Sequence, residues 1–151
     1  MKTSNERSLA SLTHLSALSQ FIFPFGNYIF PLIIWTSNKD KSDFVNHHGK
    51  QALNFQLSML LYSLVFAVIA IPTFVIWLFN LINIAELNHN VLEFNDIISS
   101  QNITGMILVG FVAVLLFVIL KLSEFFLVIY AAYKSADGYL YKYPFTINFI
   151  K

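Results

Sequence analysis

The sequence predicts an all-α membrane protein: a four-helix bundle with two long transmembrane helices, a short N-terminal helical hairpin and both termini in the cytoplasm. Of its 151 residues, 57% are hydrophobic and only 11% are charged, whereas about a quarter of the residues are charged in soluble domains. A chain this short cannot bury so much apolar surface in a single core. Two long apolar stretches match the roughly 30 Å hydrocarbon core of a bilayer. We therefore expect one membrane domain, residues 1–151, whose main contact is the lipid bilayer.

The first element, residues 9–35, is an apolar stretch that is broken at Pro24–Asn27. Each arm is too short to be a comfortable span, and Pro31 follows near the start of the second arm. We expect a short or re-entrant helical hairpin whose turn is this break. The alternative is a single span, kinked by proline, with the N-terminus outside.

The two long helices are expected at residues 51–80 and 103–133. The first contains 23 uncharged residues, Leu57–Phe79, which extend about 34 Å at 1.5 Å per residue. Pro72 lies inside it, and in lipid this indicates a kink rather than a helix end. The second contains Lys121, but its many Ile, Leu, Val and Phe residues outweigh the cost of inserting one charge.

The lysines and arginines predict the orientation. Apart from Lys121, they occur before residue 9, in a loop at residues 36–50 and in a tail at residues 134–151, whereas residues 81–102 contain none and carry three acidic residues. By the positive-inside rule, residues 81–102 lie outside and the other segments are cytoplasmic. Both flanks of residues 9–35 are then inside, which requires an even number of crossings. The outer segment is either a set of short amphipathic turns or a plain polar loop.

Several function classes are disfavoured. A formal net charge of +1 is not that of a nucleic-acid binder. The absence of cysteine excludes disulfides, thiolate metal sites and a cysteine nucleophile. No catalytic spacing of Ser, His and Asp is present, so we expect no enzyme and no cofactor. A metal site is not expected either, because His47 and His48 point about 100° apart on a helix.

A polar seam enters the first long helix from the cytoplasmic side. It consists of His47, Gln51, Asn54 and Ser58, which share a narrow arc of the helix, and His48 lies beside it. These residues either form a hydrophilic vestibule or partner-docking stripe, or hydrogen-bond the neighbouring helices and the loop. We favour internal hydrogen bonding.

Lys121 and Glu124 lie three residues apart on one helical face and can form an intramembrane ion pair. Ionisable residues at membrane depth are candidate functional sites. We favour a structural pair, and a proton or ion pathway is the alternative.

Two sequence blocks carry a family resemblance. They are His-Gly-Lys-Gln-Ala-Leu-Asn-Phe-Gln at residues 48–56 and the C-terminal motif Tyr141, Tyr143 and Pro144, whose Tyr-rich basic surroundings also suit the head-group layer. The chain resembles a family of small bacterial integral membrane proteins of unknown function, which is similar to the protein-import subunit of the chloroplast inner-envelope translocon. The resemblance implies a four-helix membrane domain whose first two helices are short.

The expected function is that of a non-enzymatic multi-pass protein of the bacterial inner membrane. It assembles with itself or with another membrane protein, in a complex that the resemblance relates to translocation. The alternative is a small channel or transporter that uses the polar seam and the Lys121/Glu124 pair.

Overall fold

The computed structural model describes residues 3–87 and 101–151, and these two ranges contain helices and no strand. The elements in chain order are α1 Ser4–Leu15, a 3-10 helix Ser16–Phe21, α2 Gly26–Asn38, α3 Asp43–Leu87 and α4 Gln101–Ala136. The predicted all-α fold class, with two long helices after two short ones, is confirmed.

The N-terminal hairpin begins with a capped helix. Thr3 Oγ1 accepts a hydrogen bond from Glu6 N at 3.2 Å, and the Glu6 carboxylate accepts one from Thr3 N at 2.7 Å, which completes a capping box. The 3-10 helix prolongs α1, and α2 packs against both. Between the arms, Phe25 adopts a left-handed conformation with φ 62° at the predicted break. The two helical arms are therefore observed, while the number of membrane crossings stays a prediction.

The junction of α2 and α3 depends on a close approach at Gly49. A Cβ atom on Gly49 would overlap the ring of Trp35. The Trp35 indole also donates to Asn46 Oδ1 at 2.9 Å. Only glycine leaves room for this ring beside α3.

The loop predicted at residues 36–50 is much shorter in the structure. The helix α2 continues to Asn38 and α3 already begins at Asp43. Ser42 Oγ accepts a hydrogen bond from Val45 N at 3.5 Å, as a helix cap does. Hydropathy marks where the chain becomes apolar, whereas capping marks where the helix starts, so α3 begins before the predicted residue 51.

The long helices also extend beyond their other predicted bounds. The helix α3 runs past residue 80 to Leu87, and α4 covers residues 101–136 instead of 103–133. The predicted outer segment comprises residues 81–102, and its first part, residues 81–87, is thus helical. Residues 88–100 of that segment lie outside the described part of the chain.

Among the residues that the structure describes, two segments are long and apolar enough to cross a membrane, Asp43–Phe79 and Leu108–Ala136. In the most apolar 18-residue stretch of each segment, only 6% and 17%, respectively, is buried inside the structure. The core helix of a soluble globule would be mostly buried, so these exposures favour lipid as the surrounding medium.

The chain forms two compact units. One consists of Met1–Leu61 and Lys121–Lys151, and the other is Tyr62–Leu120. The first unit contains buried polar side chains, whereas the second exposes large apolar ones such as Val68 and Phe111, each 66% exposed. The polar groups that the sequence singles out therefore lie in the first unit.

Candidate functional site

The C-terminal tail, residues 137–151, lies along the polar seam of α3. His47 Nε2 donates to the carbonyl oxygen of Tyr141 at 3.1 Å, and the backbone N–H of Tyr143 donates to Gln51 Oε1 at 3.3 Å. The tail has no helix or strand after Ala136, so its backbone groups need partners from elsewhere. The seam supplies them.

Asn54 and Ser58 hold the end of the tail. Asn54 binds Ile150 twice, since its Nδ2 donates to the Ile150 carbonyl at 3.0 Å and its Oδ1 accepts from Ile150 N at 2.8 Å. Ser58 Oγ accepts from Ile147 N at 2.9 Å. All four seam positions therefore bind the tail backbone, which places the seam in intramolecular hydrogen bonds.

The motif Tyr141, Tyr143 and Pro144 does not lie uniformly at a surface. The Tyr143 side chain is only 3% exposed and stacks on Phe55, with ring centroids 4.0 Å apart and planes 6° from parallel. Tyr141 is half-buried and Pro144 is exposed. The seam thus draws the backbone of this segment onto α3 and buries Tyr143, while the head-group position expected for the tail stays a prediction.

Tyr143 also joins a buried chain of side chains. Its hydroxyl lies 2.9 Å from His14 Nδ1, and His14 Nε2 lies 2.9 Å from His48 Nδ1. His14 and His48 are fully buried. These hydrogen-bonded side chains connect α1, α3 and the tail, and each of the three can carry a proton.

Tyr143 stays protonated in its buried position. Burial, with smaller contributions from Tyr141 and Glu124, raises the pKa of Tyr143 well above its usual value. The hydroxyl therefore keeps its proton at neutral pH. Which partner donates in the Tyr143–His14 and His14–His48 hydrogen bonds depends on the tautomers of the two histidines.

A second polar cluster surrounds Glu124, which is 1% exposed. Lys121 Nζ lies 2.8 Å from Glu124 Oε2, and Gln20 Nε2 donates to Glu124 Oε1 at 3.1 Å. Lys121 is 39% exposed. The predicted partners are therefore in contact, and their carboxylate also bonds the N-terminal hairpin.

The hairpin makes another buried bond to α3, from Asn27 Nδ2 to Gln56 Oε1 at 2.8 Å. No sequence pattern selects Asn27 or Gln20 as site residues, and none pairs His14 with His48. His14 and His48 are 34 positions apart, so no local periodicity connects them. Buried polar residues in an apolar hairpin were the only available signal.

The histidine and acidic side chains of the described residues do not form a metal cluster. Within residues 3–87 and 101–151, no group of three or more His, Cys, Asp or Glu side chains is arranged to hold a metal ion. The polar side chains of the first unit instead connect the hairpin, α3, α4 and the tail by hydrogen bonds.

Residues 5–150 match the sequence model of a family that is described as the magnetosome magnetite crystal formation protein family. The chain belongs to this family. The match contains both apolar helices, the polar seam and the tail motif. No curated protein and no solved structure matches the chain.

The magnetosome family sharpens the resemblance drawn from the sequence. A family of small bacterial membrane proteins was expected, and the magnetosome family is consistent with that part of the expectation. The similarity to the chloroplast translocon subunit finds no support among the matches. The family match and the two apolar helices together indicate a membrane-associated protein of the magnetosome family.

Proposed function

We propose that this protein is a non-enzymatic integral membrane component of a complex that contributes to magnetite crystal formation. The family match over residues 5–150 carries this proposal, because it covers nearly the whole chain rather than one segment. The apolar helices fit the same role, since their side chains are exposed as lipid-facing side chains are.

The polar contacts of the first unit support a structural role. The seam residues bind the tail, and Glu124 binds Lys121 and Gln20. Such bonds stabilise one arrangement of the hairpin and tail. Assembly then uses the exposed apolar faces, which can contact lipid, a second copy of the chain or another membrane protein.

Deletion of the gene in a magnetite-forming bacterium that carries it tests the proposal. We expect crystals of altered size or number by electron microscopy, with recovery when the wild-type gene is returned. Cross-linking of isolated membranes followed by mass spectrometry should capture a partner protein or a second copy. Unchanged crystals in the deletion strain would contradict the proposal.

The proposed location is the bacterial inner membrane, with both termini cytoplasmic. Because the chain has no cysteine, single cysteines report accessibility without a background signal. Cysteines placed at Lys2, Ser37, Asn90 and Lys151 should be labelled from outside only at Asn90. Labelling from outside at Lys2 would favour the single kinked span over the hairpin.

A small channel or transporter is the second candidate, and the buried Glu124 beside Lys121 favours it. Purified protein in liposomes gives the test. Solute or ion flux that is lost in Glu124→Gln, but kept in Lys142→Gln at the exposed tail, would replace the structural role by a transport role. A role in translocation rests on the sequence resemblance alone.

A further inference from the structure

A groove of about 600 Å³ lies between the start of α1 and the end of α4. Its lining residues come mostly from one face of α1, and they are Ser4, Arg7, Ser8, Ser11, Leu12 and Ala136. The three serines follow the i, i+4, i+7 spacing of a helical face. The groove thus offers three hydroxyl groups and one cation, followed by an apolar side chain.

Arg7 is the charged group of this groove. Its Nε is buried and has no hydrogen-bond partner within residues 3–87 and 101–151. No carboxylate of the described residues forms an ion pair with it. Because Nε lies against the chain, the terminal N–H groups of the guanidinium are the ones that can donate to an oxyanion in the groove.

The nearest acidic residue in the sequence, Glu6, is directed elsewhere. Its carboxylate accepts hydrogen bonds from Thr3 N at 2.7 Å and from Ser42 Oγ at 2.6 Å. Glu6 follows Ser4 by two residues and so lies about 200° around α1 from it. The groove face of α1 therefore keeps the positive charge of Arg7.

Gly138 fixes the position of the Arg7 side chain. It has φ +85°, and a Cβ at this position would lie 3.1 Å from Arg7 Nε. The guanidinium thus packs closely against the turn that ends α4. This packing buries one edge of the group while Arg7 still lines the groove.

We propose that the groove binds the phosphate oxyanion of a phospholipid head group. Guanidinium N–H groups match phosphate oxygens in pairs, and serine hydroxyls add neutral donors. Ala136, which lines the groove, is also the last residue of the apolar segment Leu108–Ala136. A spanning α4 leaves the hydrocarbon there, at the depth of lipid phosphates. Leu12 is 54% exposed and can contact the apolar part of a lipid, which free phosphate lacks.

Native mass spectrometry of the full chain in detergent, titrated with phosphatidylglycerol, measures the binding. We expect Arg7→Gln to weaken it by about tenfold or more, since charge-assisted hydrogen bonds are lost. Ser8→Ala and Ser11→Ala should each weaken it by roughly threefold. Arg7→Lys should recover part of the loss. The matched control is Lys142→Gln, which removes one charge from an exposed position of the tail and should leave the affinity unchanged.

A second titration uses inorganic phosphate and separates the two sources of the oxyanion. Weak phosphate binding with the same dependence on Arg7, and much tighter lipid binding, supports a lipid site. Equal affinity for phosphate and lipid assigns the groove to free phosphate and overturns the lipid assignment. The groove itself is refuted if Lys142→Gln weakens binding as much as Arg7→Gln, or if folded variants with unchanged circular dichroism bind like the wild type.

Discussion

Replacing Tyr143 by phenylalanine tests the buried chain of side chains most directly. The change removes one oxygen atom and leaves the aromatic ring, so the stacking on Phe55 at 4.0 Å is kept. What is lost is the hydrogen bond between the hydroxyl and His14 Nδ1, 2.9 Å long. Because His14 is fully buried, water cannot replace the lost partner.

The expected cost follows from this geometry. Removing one partner and leaving a buried polar group unsatisfied costs about 1–3 kcal/mol. Phenylalanine fills the same ring volume, so no cavity adds to that cost. We therefore expect Tyr143→Phe to lower the free energy of unfolding by about 1–3 kcal/mol.

Denaturant titration of the purified chain in mixed micelles, followed by circular dichroism, measures this difference. Tyr139→Phe is the matched control, since Tyr139 lies in the same tail but is 61% exposed. Its effect should stay within about 0.5 kcal/mol. Equal effects of the two variants, or no effect of Tyr143→Phe, would refute the hydrogen-bonded chain.

The same variant has an expected pH dependence. The pKa of Tyr143 is raised above its ordinary value of 10.0 by burial in the folded state. Its contribution to stability is then full below pH 10 and is lost as the pH rises through the folded-state pKa. The stability difference between wild type and Tyr143→Phe should shrink in strongly alkaline solution. A constant difference at all pH values would show that the hydroxyl proton is not involved.

Three further predictions concern other contacts of the first unit. Asn54→Ala removes both hydrogen bonds to the end of the tail, so backbone amides there should exchange with deuterium about tenfold faster or more, as measured by mass spectrometry. Gly49→Ala forces a methyl group into the ring of Trp35 and should destabilise the protein by about 1–3 kcal/mol in denaturant titration. Lys121→Met leaves the buried carboxylate of Glu124 without its cation and should cost about 1–3 kcal/mol in the same assay.

Each of these variants has a matched control. The Asn38 side chain donates to the Ile34 carbonyl within α2, so Asn38→Ala should not change exchange in the tail. A Cβ atom at Gly105 would meet no side chain of the described residues within 4 Å, and Gly105→Ala should be tolerated. Lys142→Met removes a lysine that is exposed and should be nearly neutral. A control that matches its test variant would show that the contact contributes nothing of its own.

Local sequence patterns were sufficient for the helices and for the face that carries the polar seam. Apolar runs at residues 57–79 and 103–120 mark the two long helices, and Pro24–Asn27 marks the break of the hairpin. Helical periodicity places Gln51 and Asn54 on one face whatever else the chain does. Helix ends were less accurate, because Ser42 caps α3 within a stretch that reads as a polar loop.

The sequence by itself therefore determined the helical class, the two long apolar helices and the polar face of α3, because each depends on residues within a few turns of one another. The tertiary structure alone decided what that face binds. Asn54 binds a residue 96 positions away along the chain. Tyr143 and His14, which bind each other, are 129 positions apart. Such pairings arise when distant backbone and side-chain groups are buried together and must satisfy one another's hydrogen bonds. One sequence has no periodicity that records them.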